Sequence, residues 1–206
     1  MAPRALVVIA PGSEDLETAV VTDVLVRGKV DVVLAAAGPD VSDDGLVVMS
    51  RGLRIAVTHR ASNVCEGLAQ GTDNFAAVVF PGGMPGAKAV GDDPAVQKCL
   101  AAIRQRGGVL VGAICAAPVF VLGPAQMLPP TATCFPALQH KLPTGVLYSA
   151  SRVVETDAVV LSQGPGTSFD FALALLRRLQ GEPTRAAVAR QLLVPDTTGQ
   201  LLPSKL

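Results

Sequence analysis

Continuous apolar runs alternate along the chain with stretches whose apolar residues recur every three or four positions. Residues 4–10 read as a first strand, with an unbroken apolar run over 5–10 of the length of a buried strand. Residues 16–27 carry helical periodicity, with Ser13 as candidate cap and Glu14, Asp15 and Glu17 in the first turn. A second strand is predicted over 30–37, short antiparallel pieces over 38–60 with turns at Asp43-Asp-Gly45 and Gly52, and a short helix over 61–69. Residues 75–80 read as another buried strand, ending in the loop Pro81-Gly-Gly-Met-Pro-Gly86. A helix over 94–106 is started by Asp92-Asp-Pro94 and stopped by Gly107-Gly108. Further strands are expected over 131–135, 152–155 and 158–162, then a helix from Gly164-Pro-Gly-Thr-Ser-Phe169 to residue 180 and a last helix over 182–193. Strands that are apolar on both faces and separated by helices predict an α/β fold: a three-layer α/β/α sandwich with a mainly parallel sheet. Residues 1–195 read as one domain and 196–206 as a loose tail rich in Pro, Thr and Gly.

The segment Gly107-Gly-Val-Leu-Val-Gly-Ala-Ile-Cys115-Ala-Ala-Pro118 runs an apolar strand into a cysteine among small residues and then into a helix. A strand that turns so sharply strains the backbone at the turn and leaves that side chain standing at the carboxyl end of the sheet. Helix N-terminal amides beside it favour negative charge, so Cys115 is expected to ionise readily to the nucleophilic thiolate. Residues 107–127 carry no charge over a length able to span a bilayer, but Pro118, Pro124 and four glycines break them, and the strand-turn-helix reading accounts for all six. The run near the N-terminus is too short for a signal-peptide core and is followed at once by acidic residues. A soluble chain is expected.

The length of 206 residues suits one substantial core. With 50% hydrophobic but only 3% aromatic residues, that core is built from Val, Leu, Ala and Ile. Seventeen basic and seventeen acidic residues cancel and no basic run is present, which argues against a nucleic-acid partner. Cys65, Cys99, Cys115 and Cys134 lie far apart, and His59 and His140 are not grouped with them at ligand spacing. Neither a zinc site nor a disulfide framework is indicated, and a reducing compartment is.

Three predicted loops fall at strand ends and meet at one sheet edge: 10–17, 81–86 and the Cys115 elbow. Glu17, placed against Cys115, would have its pKa raised by burial and charge, and would serve as a proton shuttle. Gly82 and Gly83 would let a backbone N–H approach a developing oxyanion, with the Ala116 N–H as second donor.

Arg4-Ala-Leu-Val, Glu14-Asp-Leu-Glu17, Phe80-Pro-Gly-Gly83, Gly86-Ala, Ala113-Ile-Cys-Ala116 and Gly164-Pro-Gly-Thr-Ser-Phe-Asp-Phe-Ala-Leu-Ala174 follow in order, and with them the chain resembles the Parkinson-associated deglycases of the DJ/PfpI (ThiJ/PfpI) superfamily. The resemblance implies a flavodoxin-like fold, a homodimer, Cys115 as nucleophile and oxidation-sensitive residue, and Glu17 as its protonated partner. It implies backbone amides from Gly83 and Ala116, substrate contacts from Gly82 and Pro165, and in Arg51 an arginine reaching into the site from the other subunit. The implied activity is a glutathione-independent glyoxalase or protein deglycase acting on methylglyoxal-type dicarbonyls or their adducts, without metal or organic cofactor. The alternative it implies is a redox sensor or stress-protective chaperone working through oxidation of Cys115.

Three positions depart from the family pattern. Phe135, in Thr133-Cys-Phe-Pro136, stands where the family has a histidine, Ala56 replaces a second oxidisable cysteine, and Gln163 replaces an arginine before the Gly-Pro-Gly turn. His140 reads as a surface helix residue. A glutamine amidotransferase would need a downstream His and Glu pair, and a PfpI-type protease a histidine directly after the nucleophile, where Ala116 stands. Ser204-Lys205-Leu206 is a peroxisome-type address, predicting an import receptor as partner and a peroxisome-like or glycosome-like location, with the cytoplasm as the family's usual home.

Overall fold

The computed structural model of the chain describes residues 2–38 and 45–195. The first half of the chain lays down β1 (Arg4–Ile9), α1 (Asp15–Arg27), β2 (Asp31–Ala36), β3 (Leu46–Val48), β4 (Arg54–Ala56), β5 (His59–Arg60) and α2 (Ala61–Gln70). Then come β6 (Ala77–Phe80), α3 (Met84–Gly91), α4 (Pro94–Arg106), β7 (Leu110–Ile114) and a π-helical turn, Pro118–Leu122. The remainder gives β8 (Thr131–Ala132), a 3-10 helix at Pro136–Lys141, β9 (Leu147–Tyr148), β10 (Val153–Glu155), β11 (Val159–Ser162) and α5 (Ser168–Gln191).

Seven strands form one sheet in the order β10-β11-β7-β6-β1-β2-β5, parallel except for β10 at the edge. The chain runs from β1 to β2 on one side and later returns to β6 on the other, so β1 and β6 flank a switch point, where parallel α/β sheets open a crevice at their carboxyl ends. Helices α1 and α5 pack together on one face, and α2 and α4 on the other with α3 beside them. This is the three-layer α/β/α, flavodoxin-like sandwich that was expected.

Burial explains the apolar runs: β6, β7 and β11 are buried along their whole length, as strands covered on both faces must be. One core cluster extends from Ala5 on β1 to Ala189 on α5. Gly112 on β7 lets α5 approach closely, since a side-chain carbon there would lie 3.1 Å from Leu175 and Phe171. Gly181, at φ 83°, kinks α5 into the two helical stretches predicted from the sequence.

Several expectations need correction. The cap of α1 is Glu14, whose carboxylate accepts the Leu16 and Glu17 N–H groups, while the Ser13 hydroxyl accepts the Ala10 N–H. His59–Arg60 pairs in parallel with β2 and belongs to the main sheet instead of the antiparallel pieces. The predicted loop at 81–86 becomes helix α3 from Met84 onward, because Pro85 sits in its first turn, where its missing N–H costs nothing. The predicted strand at 131–135 stops at Ala132 and pairs with β9 in a separate two-stranded sheet. The helix expected after the elbow is a single π-helical turn between Pro118 and Gly123. Asp43, Asp44 and the tail at 196–206 lie outside the described residues.

Candidate active site

The loops after β1, β6 and β7 meet over a cleft of about 530 Å³ at the carboxyl edge of the sheet. Cys115 follows β7 directly and adopts φ 64°, a left-handed backbone that costs a side-chain-bearing residue about 1–2 kcal/mol. Two hydrogen bonds hold it there: its N–H donates to the Ser162 carbonyl (3.0 Å), and its carbonyl accepts the Phe135 N–H (2.8 Å). Backbone strain persists where surrounding bonds over-determine it, and the strained elbow expected at Cys115 is present.

Glu17 is wholly buried and does not line the open cleft; it lies behind the sulfur. Its Oε2 accepts the Gly82 N–H at 2.6 Å, while Oε1 has no formed hydrogen bond and the Cys115 side chain is the carboxyl's remaining interaction partner. Burial raises its pKa to about 7, the Gly82 N–H works against that, and the nearby charge of Glu14 adds to it. Burial also pushes the Cys115 thiol up to about 12, with the Glu17 charge adding to the push and the Gly83 and Ala116 amides opposing it. This corrects the expectation of a freely ionised thiolate. The one-turn helix after the elbow is too short to supply a strong dipole. With the acid near 7 and the thiol near 12, the pair carries two protons below about pH 7 and the thiol proton alone above it, where the Glu17 charge adds to burial in opposing the thiolate.

Gly82 is fixed by space. A side-chain carbon there would lie 2.5 Å from the Cys115 Cβ, 2.8 Å from Glu17 Oε2 and 3.0 Å from the Ala116 nitrogen. The Gly82 N–H is committed to Glu17 and so is not free for an oxyanion, whereas the Gly83 and Ala116 amides bear on the Cys115 sulfur. Gly83 stands at φ 81°, with the Glu14 nitrogen 2.6 Å from where its Cβ would be, so glycine is needed there for conformation and for space.

The three acidic residues of the first helical turn divide the labour. Glu14 caps the helix and lines the cleft, and Glu17 faces the sulfur. Asp15 binds the turn between β3 and β4, accepting the Arg51 N–H (2.7 Å), the Leu53 N–H (2.9 Å) and the Ser50 hydroxyl (3.1 Å). That turn sets Arg51 at the cleft of its own chain, where it is the only cation among the lining residues.

Apolar walls come from Met49, Met84, Pro85, Phe135, Leu138 and Pro165. The turn carrying Pro165 is held by the Thr167 hydroxyl, which bonds Ser162, the Gln163 and Gly164 N–H groups and the Gly164 carbonyl. Arg152 clamps its outer side through the Gly166 carbonyl and Asp170. Gln163 does not line the cleft; its amide donates to Tyr148 Oη (3.3 Å) and the Ala150 carbonyl (3.0 Å). His140 is exposed on the 3-10 helix, also outside the cleft. Sequence reasoning missed the roles of Asp15 and Thr167. The acidic run and the Gly-Pro-Gly-Thr turn were visible, but nothing in their spacing told a cap from a loop anchor. Among the described residues no group of three or more His, Cys, Asp or Glu side chains is placed to hold a metal.

The model of the DJ-1/PfpI family matches residues 3–178. The chain is 35% identical over 196 residues to the Parkinson disease protein 7 homolog of Danio rerio, covering 94% of this chain and 98% of that one. It is 32% identical over 179 residues to the glutathione-independent glyoxalase DJR-1.2 of Caenorhabditis elegans, covering 86% and 89%. Among solved structures, Drosophila melanogaster DJ-1beta superposes with a TM-score of 0.84 at 32% identity, covering 95% of this chain and 100% of that one. Oxidized DJ-1 of Toxoplasma gondii superposes with a TM-score of 0.82 at 30% identity, covering 93% and 98%.

Proposed function

The chain belongs to the DJ-1/PfpI family, and from that premise we propose that it is a cofactor-free, glutathione-independent glyoxalase acting on methylglyoxal-type dicarbonyls, with deglycation of their adducts as the related hydrolytic activity. One observation carries the reading: a buried carboxyl with a pKa near neutrality lies directly behind a strained cysteine that opens on the cleft. A similar protein, DJR-1.2, bears the name of that activity.

In the proposed reaction Glu17 accepts the Cys115 proton as sulfur attacks the aldehyde carbon, the Gly83 and Ala116 amides hold the resulting oxyanion, and the carboxyl returns that proton to the oxygen, which gives the hemithioacetal and frees the carboxylate. The new C–S bond draws that carbon to the sulfur, within reach of Glu17 Oε1. The carboxylate then takes the proton from the former aldehyde carbon and delivers it to the neighbouring carbon while the hydroxyl proton passes to the neighbouring oxygen, converting hemithioacetal to thioester. Water cleaves the thioester, releasing the hydroxy acid and the thiol. Arg51 at the rim attracts anionic or carbonyl oxygen, and a homodimer would add a second copy's Arg51 from across the interface.

The proposal is tested by lactate formation from methylglyoxal without glutathione. Turnover by wild type that Cys115→Ala loses is the expected result, and equal rates in the two proteins would overturn it. The second reading, a redox sensor or stress-protective chaperone, is favoured by one feature: a protonated Glu17 is a hydrogen-bond donor suited to an oxidised Cys115 sulfinate. Absence of turnover together with selective sulfinate formation would establish that reading instead.

The proposed address is peroxisomal, through an import receptor reading Ser204, Lys205 and Leu206 when they are terminal and exposed. A fluorescent protein fused upstream should enter peroxisome-like organelles and, without those three residues, remain in the cytosol. Cytosolic signal from both would defeat it. Among the described residues no helix is long and apolar enough to cross a membrane.

A further inference from the structure

Cys65 and Cys99 are distant in the chain, and the fold sets them together. Cys65 lies on the inner face of α2 with Val64 and Leu68, and Cys99 on the inner face of α4 with Val96 and Ile103. The two helices pack against each other, both residues are 1% exposed, and both are free thiols. The two thiols interact electrostatically across that packing, which corrects the expectation drawn from their separation in sequence. Neither lines the cleft of Cys115.

The pair is asymmetric. Arg106, on α4, donates to the Leu68 carbonyl of α2, bridging the two helices, and its charge favours an anionic Cys99. The contact with Cys65 is the main cause lowering the Cys99 pKa, against burial and ahead of the Arg106 charge, and the same contact together with burial raises that of Cys65. Helices packed about 8–10 Å apart, with Cα atoms about 2.3 Å from their axes, bring Cα atoms that face each other to about 3.4–5.4 Å, which overlaps the range a disulfide spans.

We propose that Cys65 and Cys99 form a reversible disulfide that staples α2 to α4 when the protein meets a hydroperoxide. The Cys99 sulfur attacks the terminal peroxide oxygen; the O–O bond breaks, an S–O bond forms, and the alcohol or water leaves with the thiol proton. Sulfur is oxidised by two electrons and the peroxide reduced by two. The Cys65 sulfur then attacks the Cys99 sulfenic acid, the S–S bond forms, and hydroxide departs with the Cys65 proton as water. Each disulfide thus consumes one hydroperoxide and two thiols. A dithiol reductant reverses it. Burial makes the pair a slow responder.

The test uses folded Cys115→Ala protein in neutral buffer, oxidised with excess hydrogen peroxide, alkylated, and digested without reductant. The expected product is one cross-linked peptide pair containing Cys65 and Cys99, dissolved by dithiothreitol. In the same protein carrying Cys99→Ser, Cys65 should remain alkylatable. Full alkylation of both thiols after oxidation, cross-linking only in urea, or pairing with Cys134 would each overturn the proposal. Should the Cys99→Ser protein fail to fold, the cross-link map of the Cys115→Ala protein decides alone.

Discussion

Cys115 and Cys99 are both withdrawn from solvent, at 9% and 1% exposure, yet their surroundings prepare them for different partners. Cys115 stands on a strained turn with a carboxyl behind it, two amides beside it and an open cleft in front. Cys99 lies in a regular helix with another thiol before it and an arginine charge nearby. Burial alone would raise both pKa values; it wins at Cys115, where the neighbouring charge is negative, and loses at Cys99, where the contact with the Cys65 thiol and the positive charge outweigh it. The nature of the proton partner, more than depth, decides what a buried sulfur can do. A carboxyl takes the proton away and returns it elsewhere, which suits carbonyl chemistry, whereas a thiol partner can only hold the proton or be oxidised.

The largest expected effect separates the two regions directly. Cys115→Ala should lower kcat for lactate formation by more than about a thousandfold. Cys65→Ala and Cys99→Ala should leave kcat/KM within about twofold while each costs about 1–2 kcal/mol of stability through lost packing. Steady-state kinetics beside urea denaturation measures both, and a thousandfold loss in Cys99→Ala would erase the distinction.

Next in size is Phe135→His. Phe135 lines the cleft and its N–H holds the Cys115 carbonyl, but its ring moves no proton. With Cys115 and Glu17 as the only titrating pair in the reaction, wild-type turnover should be slow. An imidazole there should raise kcat by up to about a hundredfold and add a limb to the pH profile near about 6.5. An unchanged rate from pH 5 to 9 would mean that Glu17 alone serves both proton transfers.

The smallest effect is thermodynamic. Glu17 has a folded pKa of about 7 against an ordinary 4.5, so the folded protein keeps this proton to higher pH than the unfolded chain. The stability linked to the group is fully present below 4.5 and is lost as pH rises through about 7. Between pH 5 and 8, wild type should therefore lose on the order of 3 kcal/mol relative to Glu17→Gln. Denaturant titrations at both pH values check it, and parallel pH curves for the two proteins would show that Glu17 titrates as in the unfolded chain.

Much of this was legible in the sequence. Strands β1, β6, β7 and β11 are apolar runs bounded by turn residues, and α4 begins at Asp93-Pro94 and ends at Gly107, so local chemistry marks their limits. Cys115 was marked by the same logic. Helix α3 was hidden because Pro85 and Gly86 look like breakers, although proline suits a first turn and Gly86 is needed where the chain crosses Ser13. The ionisation of Cys115 was misjudged because it depends on burial and on Glu17, which become neighbours only when β1, β6 and β7 align. The meeting of Cys65 and Cys99 depends on two helices choosing the same face of the sheet, and no spacing within either helix encodes that choice.

The first turn of α1 links parts of the cleft that look separate. Its Glu17 sets the proton affinity of the nucleophile, while its Asp15, two positions earlier, carries the hairpin turn that presents Arg51. Floor and rim are thus bolted to one rigid segment and have no independent adjustment. A substitution that tilts this turn to widen the entrance also shifts the carboxyl against the sulfur. Any attempt to retune this protein for bulkier substrates therefore does better to work on the opposite wall, at Phe135, Leu138 and Pro165, which hang from other elements and leave the acid in place.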